Sequence, residues 1–99
     1  MYNYIIGGAS MLNSVNLIGV LSKVEREKNF RLLEVERGYM PLYEKKETDL
    51  IPLMTWNKTN KGDLFYFDAG SLVAIKGRIE EVDDKPFVIV ETIVGIGKK

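Results

Sequence analysis

Two glycines, Gly19 and Gly77, each break a run of apolar residues that alternate at period two, and this combination most constrains the fold. In Leu12 to Ser22 the apolar set is Val15, Leu17 and Leu21; in Ser71 to Val82, Val73, Ile75 and Ile79 face inward while Leu72, Ala74, Lys76 and Arg78 face outward. Glycine inside a strand marks a bulge or sharp bend, so both strands are expected to curve. Val and Ile contribute nine residues each and long stripes of period 3.6 are missing, which makes the class all-β with little helix.

Three further strands follow from the same pattern. Phe30 to Glu36 reads as a strand whose register is open, because Phe30 and Leu32 point one way and Leu33 and Val35 the other. Arg37 to Lys46 combines Gly, Pro, two Tyr and three basic residues, the composition of a long exposed loop. Thr48 to Trp56 is the next strand, with Leu50, Pro52, Met54 and Trp56 on one face and Ile51, Leu53 and Thr55 on the other. Pro52 has no N–H for a ladder and belongs at an edge or bulge. Between Asn57 and Gly70 only a short helix fits: Asp63 is the expected cap, Leu64, Phe65 and Phe67 pack, and Gly70 ends it. Asp83 to Pro86 is a turn, and the unbroken apolar run of Phe87 to Val94 suggests a last strand buried on both faces. Five strands with one short helix between the third and fourth is the plan of an OB-fold barrel, whose strand face binds oligonucleotides or oligosaccharides. The expected domain spans residues 11–97, preceded by an arm of residues 1–10 lying on a neighbour.

The chain has 99 residues, room for one core, and burial is limited enough at this size that self-association is expected. It lacks Cys and His, which removes thiolate chemistry, zinc fingers, imidazole bases and Ser-His-Asp triads. Glu80-Glu81 and Asp83-Asp84 lack calcium-loop spacing and read as solvated turn residues. No catalytic residue, metal or cofactor is assigned. Met1 to Ser22 carries no charge, but Asn3, Asn13 and Asn16 interrupt it and no basic start precedes it, so neither a signal peptide nor a membrane span is expected. A cytoplasmic protein is the expectation, and the absence of Cys is compatible with it.

The segments MLNSVNLIGVL (Met11–Leu21), TDLIPLMTWNK (Thr48–Lys58) and AGSLVAIKGRI (Ala69–Ile79) resemble, in order and spacing, the first, third and fourth strands of bacterial single-stranded DNA-binding proteins. The resemblance implies an OB-fold that binds single-stranded DNA without sequence preference in replication, recombination or repair, as a homodimer or homotetramer. It further implies that Trp56 is a stacking aromatic, Lys58 a basic residue beside it, Leu50 the occupant of an often aromatic position, Tyr39 a neighbour of another stacking position, and Arg78 a polar group on the outward face.

Physical chemistry asks for the same residue types. Single-strand binding needs flat π faces for bases and cations for phosphates. Trp56, Tyr39 and Tyr43 supply faces; Lys45, Lys46, Lys58, Lys76 and Arg78 supply cations; Leu50 and Met54 offer a softer apolar platform. Fourteen basic residues balance fourteen acidic ones, so electrostatic attraction must come from local patches. The acidic turn at Glu80, Glu81, Asp83 and Asp84 is expected to repel phosphates. The chain stops at Gly97-Lys98-Lys99 with no acidic tail, which suggests no tail-mediated protein partners and is similar to the small tailless primosomal replication proteins. The competing expectation is a protein-interaction module that has lost nucleic-acid binding.

Overall fold

The computed structural model describes residues 13–38 and 47–98. The arm expected at residues 1–10, and the candidate site residues Tyr39, Tyr43, Lys45 and Lys46, lie outside the described residues. The elements are β1 (Val15–Leu21), β2 (Arg31–Glu36), β3 (Thr48–Met54), α1 (Asp63–Tyr66), β4 (Ser71–Val82) and β5 (Lys85–Lys98). Hydrogen bonding joins the strands in the order β1-β2-β3-β5-β4 as a closed barrel. Every pairing is antiparallel except β3 with β5, which run parallel. The class is all-β, with a single-turn helix between β3 and β4, as the pattern of periods and glycines requires.

Both internal glycines are places where strands approach too closely for a side chain. A Cβ on Gly19 would lie 2.8 Å from Cγ of Leu33 and collide with the Glu34 carbonyl; one on Gly77 would collide with the Ile89 carbonyl. At Gly77 the strand pairing also slips. Lys76 faces Thr92 while Gly77 faces Val90, which leaves Glu91 bulged out of β5. A second slip between Leu72 and Val73 bulges Ile96. The hairpin closing β4 to β5 turns on Asp83 and Asp84, with φ of 52° and 66° between the pair Val82 and Lys85. Two consecutive positive φ values are the twist-matched geometry for a two-residue hairpin loop.

Leu21, Leu33, Leu53, Val73, Ile75 and Val88 meet inside the barrel, and Leu64 and Phe65 of α1 join them. Each such side chain contributes about 1.5–3 kcal/mol on burial. The open register of β2 resolves with Leu33 inward and Leu32 outward, opposite Pro52. Phe30, ahead of β2, packs edge-on to Phe87 with ring centroids 5.6 Å apart. Pairing of β3 with β5 covers Leu53 and Met54 alone, so Pro52 lies where the second edge of β3 is open.

Several boundaries differ from expectation. β3 stops at Met54 rather than Trp56. Asp63 is the first helical residue and not the cap; Gly62 holds that position with φ of 111° and no side chain bonds there. The helix ends at Tyr66, because Phe67 is already extended, and Gly70 instead turns the chain into β4. Ile79 is about half exposed, since the ladder of β1 on β4 ends opposite Gly77. There the Asn13 side chain takes over, donating to the Ile79 carbonyl at 2.6 Å and accepting from its N–H at 2.9 Å. Burial on both faces of β5 is confined to Val88 and Ile89, beside the closing seam with β3. Among the described residues no helix is long and apolar enough to cross a membrane.

Candidate nucleic-acid interface

The chain leaving β3 forms a tight, side-chain-bonded turn. Lys58 N–H donates to the Thr55 carbonyl at 3.0 Å. Thr55 Oγ1 donates to Asn57 Oδ1 at 3.0 Å and accepts from the Thr59 N–H at 3.1 Å. Lys58 adopts φ of 58°, and its carbonyl accepts from Asn29 Nδ2 at 3.1 Å, tying the turn to the β1–β2 loop. These bonds satisfy the turn locally and leave Trp56 at its tip, 73% exposed. An indole so far from burial adds little to the core, while its ring is open to a stacking partner.

Trp56 stands at the edge of a groove of about 670 Å³ between this turn, the start of α1 and the bulged part of β5. Thr55, Lys61 and Asp63 line one side, and Glu91 and Thr92 the other. Thr92 lies opposite Lys76 in the sheet, which places that lysine on the strand next to the groove. The ammonium groups of Lys61 and Lys76 have no ion-pair partner among the described residues.

The other two cations are engaged. Glu80 bridges Lys58 Nζ at 3.0 Å and Arg78 Nη2 at 2.6 Å, and Glu91 accepts from Arg78 Nη1 at 3.1 Å. The bonds from Lys58 and Arg78 hold the Glu80 carboxyl below the usual carboxylate range, and the bonds to Glu80 and Glu91 raise Arg78. All four side chains are between 31% and 44% exposed, so water screens the cluster.

Of the ten site residues expected from sequence, this region gathers Trp56, Lys58, Lys76 and Arg78. Leu50 is exposed on β3 opposite Glu34, away from the residues that line the groove. Met54 is a correction: it is 3% exposed, paired with the buried Ile89 at the closing seam, and offers no platform. The shared face of Leu50, Met54 and Trp56 therefore does not form, because the strand ends before Trp56. Glu80 likewise departs from the expected solvated tip and pairs instead with two cations. Lys61 and Glu91 were not legible as site residues. Lys61 enters through a turn and Glu91 through a bulge, and neither has a sequence period.

No family model matches the chain, and no curated protein matches it. Among solved structures it is similar to the dimeric N-terminal domain of PriB protein from Thermoanaerobacter tencongensis, at 19% identity and a TM-score of 0.46. The match covers 87% of this chain and 98% of that one.

Proposed function

We propose that this chain is a non-sequence-specific single-stranded DNA-binding module of replication, recombination or repair that acts without catalysis as a homodimer or homotetramer. The observation that carries the reading is the exposed indole of Trp56 at the rim of a groove lined by Lys61, with Lys76 on the adjoining strand, both ammonium groups without an ion-pair partner among the described residues. Stacking on one such ring contributes about 1–3 kcal/mol per base whatever the base, because every base has a π face. Cations alongside supply the phosphate contacts and make the binding sensitive to salt. The three motifs that resemble bacterial single-stranded DNA-binding proteins support the same assignment.

Trp56 is the only tryptophan, so its fluorescence reports directly on the site. Titration with oligo-dT at low salt should quench it, and added salt should reverse the quench. Trp56→Ala should weaken binding by about 1–3 kcal/mol while the far-ultraviolet circular dichroism stays unchanged. Absence of both quenching and a gel shift would falsify the proposal. The pairing of Lys58 and Arg78 with carboxylates favours one alternative, a module whose partner is a protein. A partner captured from lysate that survives nuclease treatment would support that alternative.

A further inference from the structure

The positions of Glu80 and Glu91 carry a consequence for which anions the interface accepts. Arg78 holds one carboxylate on each terminal nitrogen, Glu80 on Nη2 at 2.6 Å and Glu91 on Nη1 at 3.1 Å. The second oxygen of Glu80 takes Lys58 at 3.0 Å. Two cations are thus shared between two carboxylates, within reach of the Trp56 groove that Glu91 also lines. A guanidinium binds a carboxylate and a phosphate through the same donor geometry, so phosphates and these glutamates compete for the same donors.

We propose that Glu80 and Glu91 are the specificity-determining residues of this interface, holding Lys58 and Arg78 in pairs that a strand of successive phosphates displaces and an isolated phosphate does not. The inference rests on the single-strand reading above. Two separate carboxylates must leave for Arg78 to be freed. A mononucleotide brings one phosphate, which even when bidentate on Arg78 must displace both carboxylates at once and gains no further contact to offset them. An oligonucleotide brings further phosphates on the same chain, so each exchange after the first is intramolecular and favoured by a high effective concentration. Partial exposure of the cluster makes the exchange feasible, because screened pairs are weak.

The displaced carboxylates also leave a signature in the salt dependence. When a cation of the protein reaches phosphate, the DNA releases counterions. Glu80 and Glu91, once freed, take up cations from solution, and this uptake offsets part of the release. The wild-type salt dependence should therefore be shallower than the number of phosphate contacts implies.

The test compares wild type, Glu80→Gln, Glu91→Gln and the double variant by Trp56 fluorescence, each against oligo-dT and against thymidine monophosphate. Glu25→Gln, which alters an exposed pair with Lys28 outside the Glu80–Glu91 cluster, controls for the change in net charge. Each single variant should bind oligo-dT several-fold more tightly than Glu25→Gln does. The logarithmic salt slope should steepen by up to about one per carboxylate removed. Monophosphate should perturb the fluorescence of the double variant and leave wild type unaffected. Affinities and slopes equal to those of Glu25→Gln overturn the inference while leaving single-strand binding in place. Silence of every protein toward oligo-dT overturns the single-strand reading, and the inference with it.

Discussion

Arg31 places a guanidinium inside the barrel wall, 2% exposed, where the strand pattern alone would call for an aliphatic residue. Its Nε donates to the Ser22 carbonyl at 2.9 Å and its Nη1 to the Leu64 carbonyl at 2.9 Å. Burial pushes its pKa down, and the charge of Asp68 acts in the opposite direction. The residue pins the one-turn helix to the end of β1, supplying a donor to a helical carbonyl that so short a helix cannot satisfy internally. Arg31→Met keeps the bulk but strips both carbonyls of their donor. It should lower the unfolding free energy by about 1–3 kcal/mol in urea titration. An unchanged midpoint would mean that water satisfies the carbonyls equally well. At this scale the sequence was a partial guide. Trp56 was singled out through the motif that resembles bacterial single-stranded DNA-binding proteins; its ring is exposed, but in a turn beyond β3 rather than on the strand where the pattern put it. Met54 misled, because period two describes an ideal strand and cannot report where two strands close a barrel.

At the scale of elements, the strands were legible where alternation was long and glycine fell inside it. β4 spans Ser71–Val82, the bounds its pattern suggested. β5 runs to Lys98, four residues past its apolar stretch, because pairing with β4 carries the backbone onward through Gly95 and Gly97. A bend was anticipated at Gly77, and the bulge found there has its extra residue on the partner strand at Glu91; only pairing between two strands can decide which of them carries it. The close approach at Gly77 is rigid, since the opposing atom is a backbone carbonyl. Gly77→Ala should therefore cost about 1–3 kcal/mol in thermal or urea melts. Gly38→Ala, where nothing lies within 4 Å of the added carbon, should leave the melt within about 0.5 kcal/mol of wild type. Equal effects at the two positions would remove steric closure as the reason for Gly77.

Across the whole molecule, equal numbers of acidic and basic residues are sorted into local arrangements. Arg37 clamps β2 to β3 through Asp49 at 2.9 Å and 3.1 Å, and its hydrogen bonds hold the Asp49 carboxyl below its ordinary range. Apolar residues are sorted as well. Ile18 of β1, Ala74 of β4 and Val94 of β5 lie in one row across three strands. Ile18 is 61% exposed and Val94 53%, and Val20 and Leu72 pair in the next row. A small barrel with such a row on its outside gains stability by covering it with a second copy. Sedimentation should give a dimer or tetramer for wild type and a monomer for the variant carrying both Ile18→Glu and Val94→Glu. A wild type that remains monomeric across the concentrations used for DNA titration would rule out self-association through this face.

What the sequence determined by itself was the class, the number of strands and the place of the helix. Those follow from local rules: the alternation of side chains along a strand and the steric licence of glycine. What only the tertiary structure decided was which cations are free. Lys58 and Arg78 are separated by twenty residues and Glu91 lies thirteen further on, so their pairing depends on barrel closure and on one bulge in β5. Charge acts through space, and residue spacing along a chain does not state the distances that folding creates.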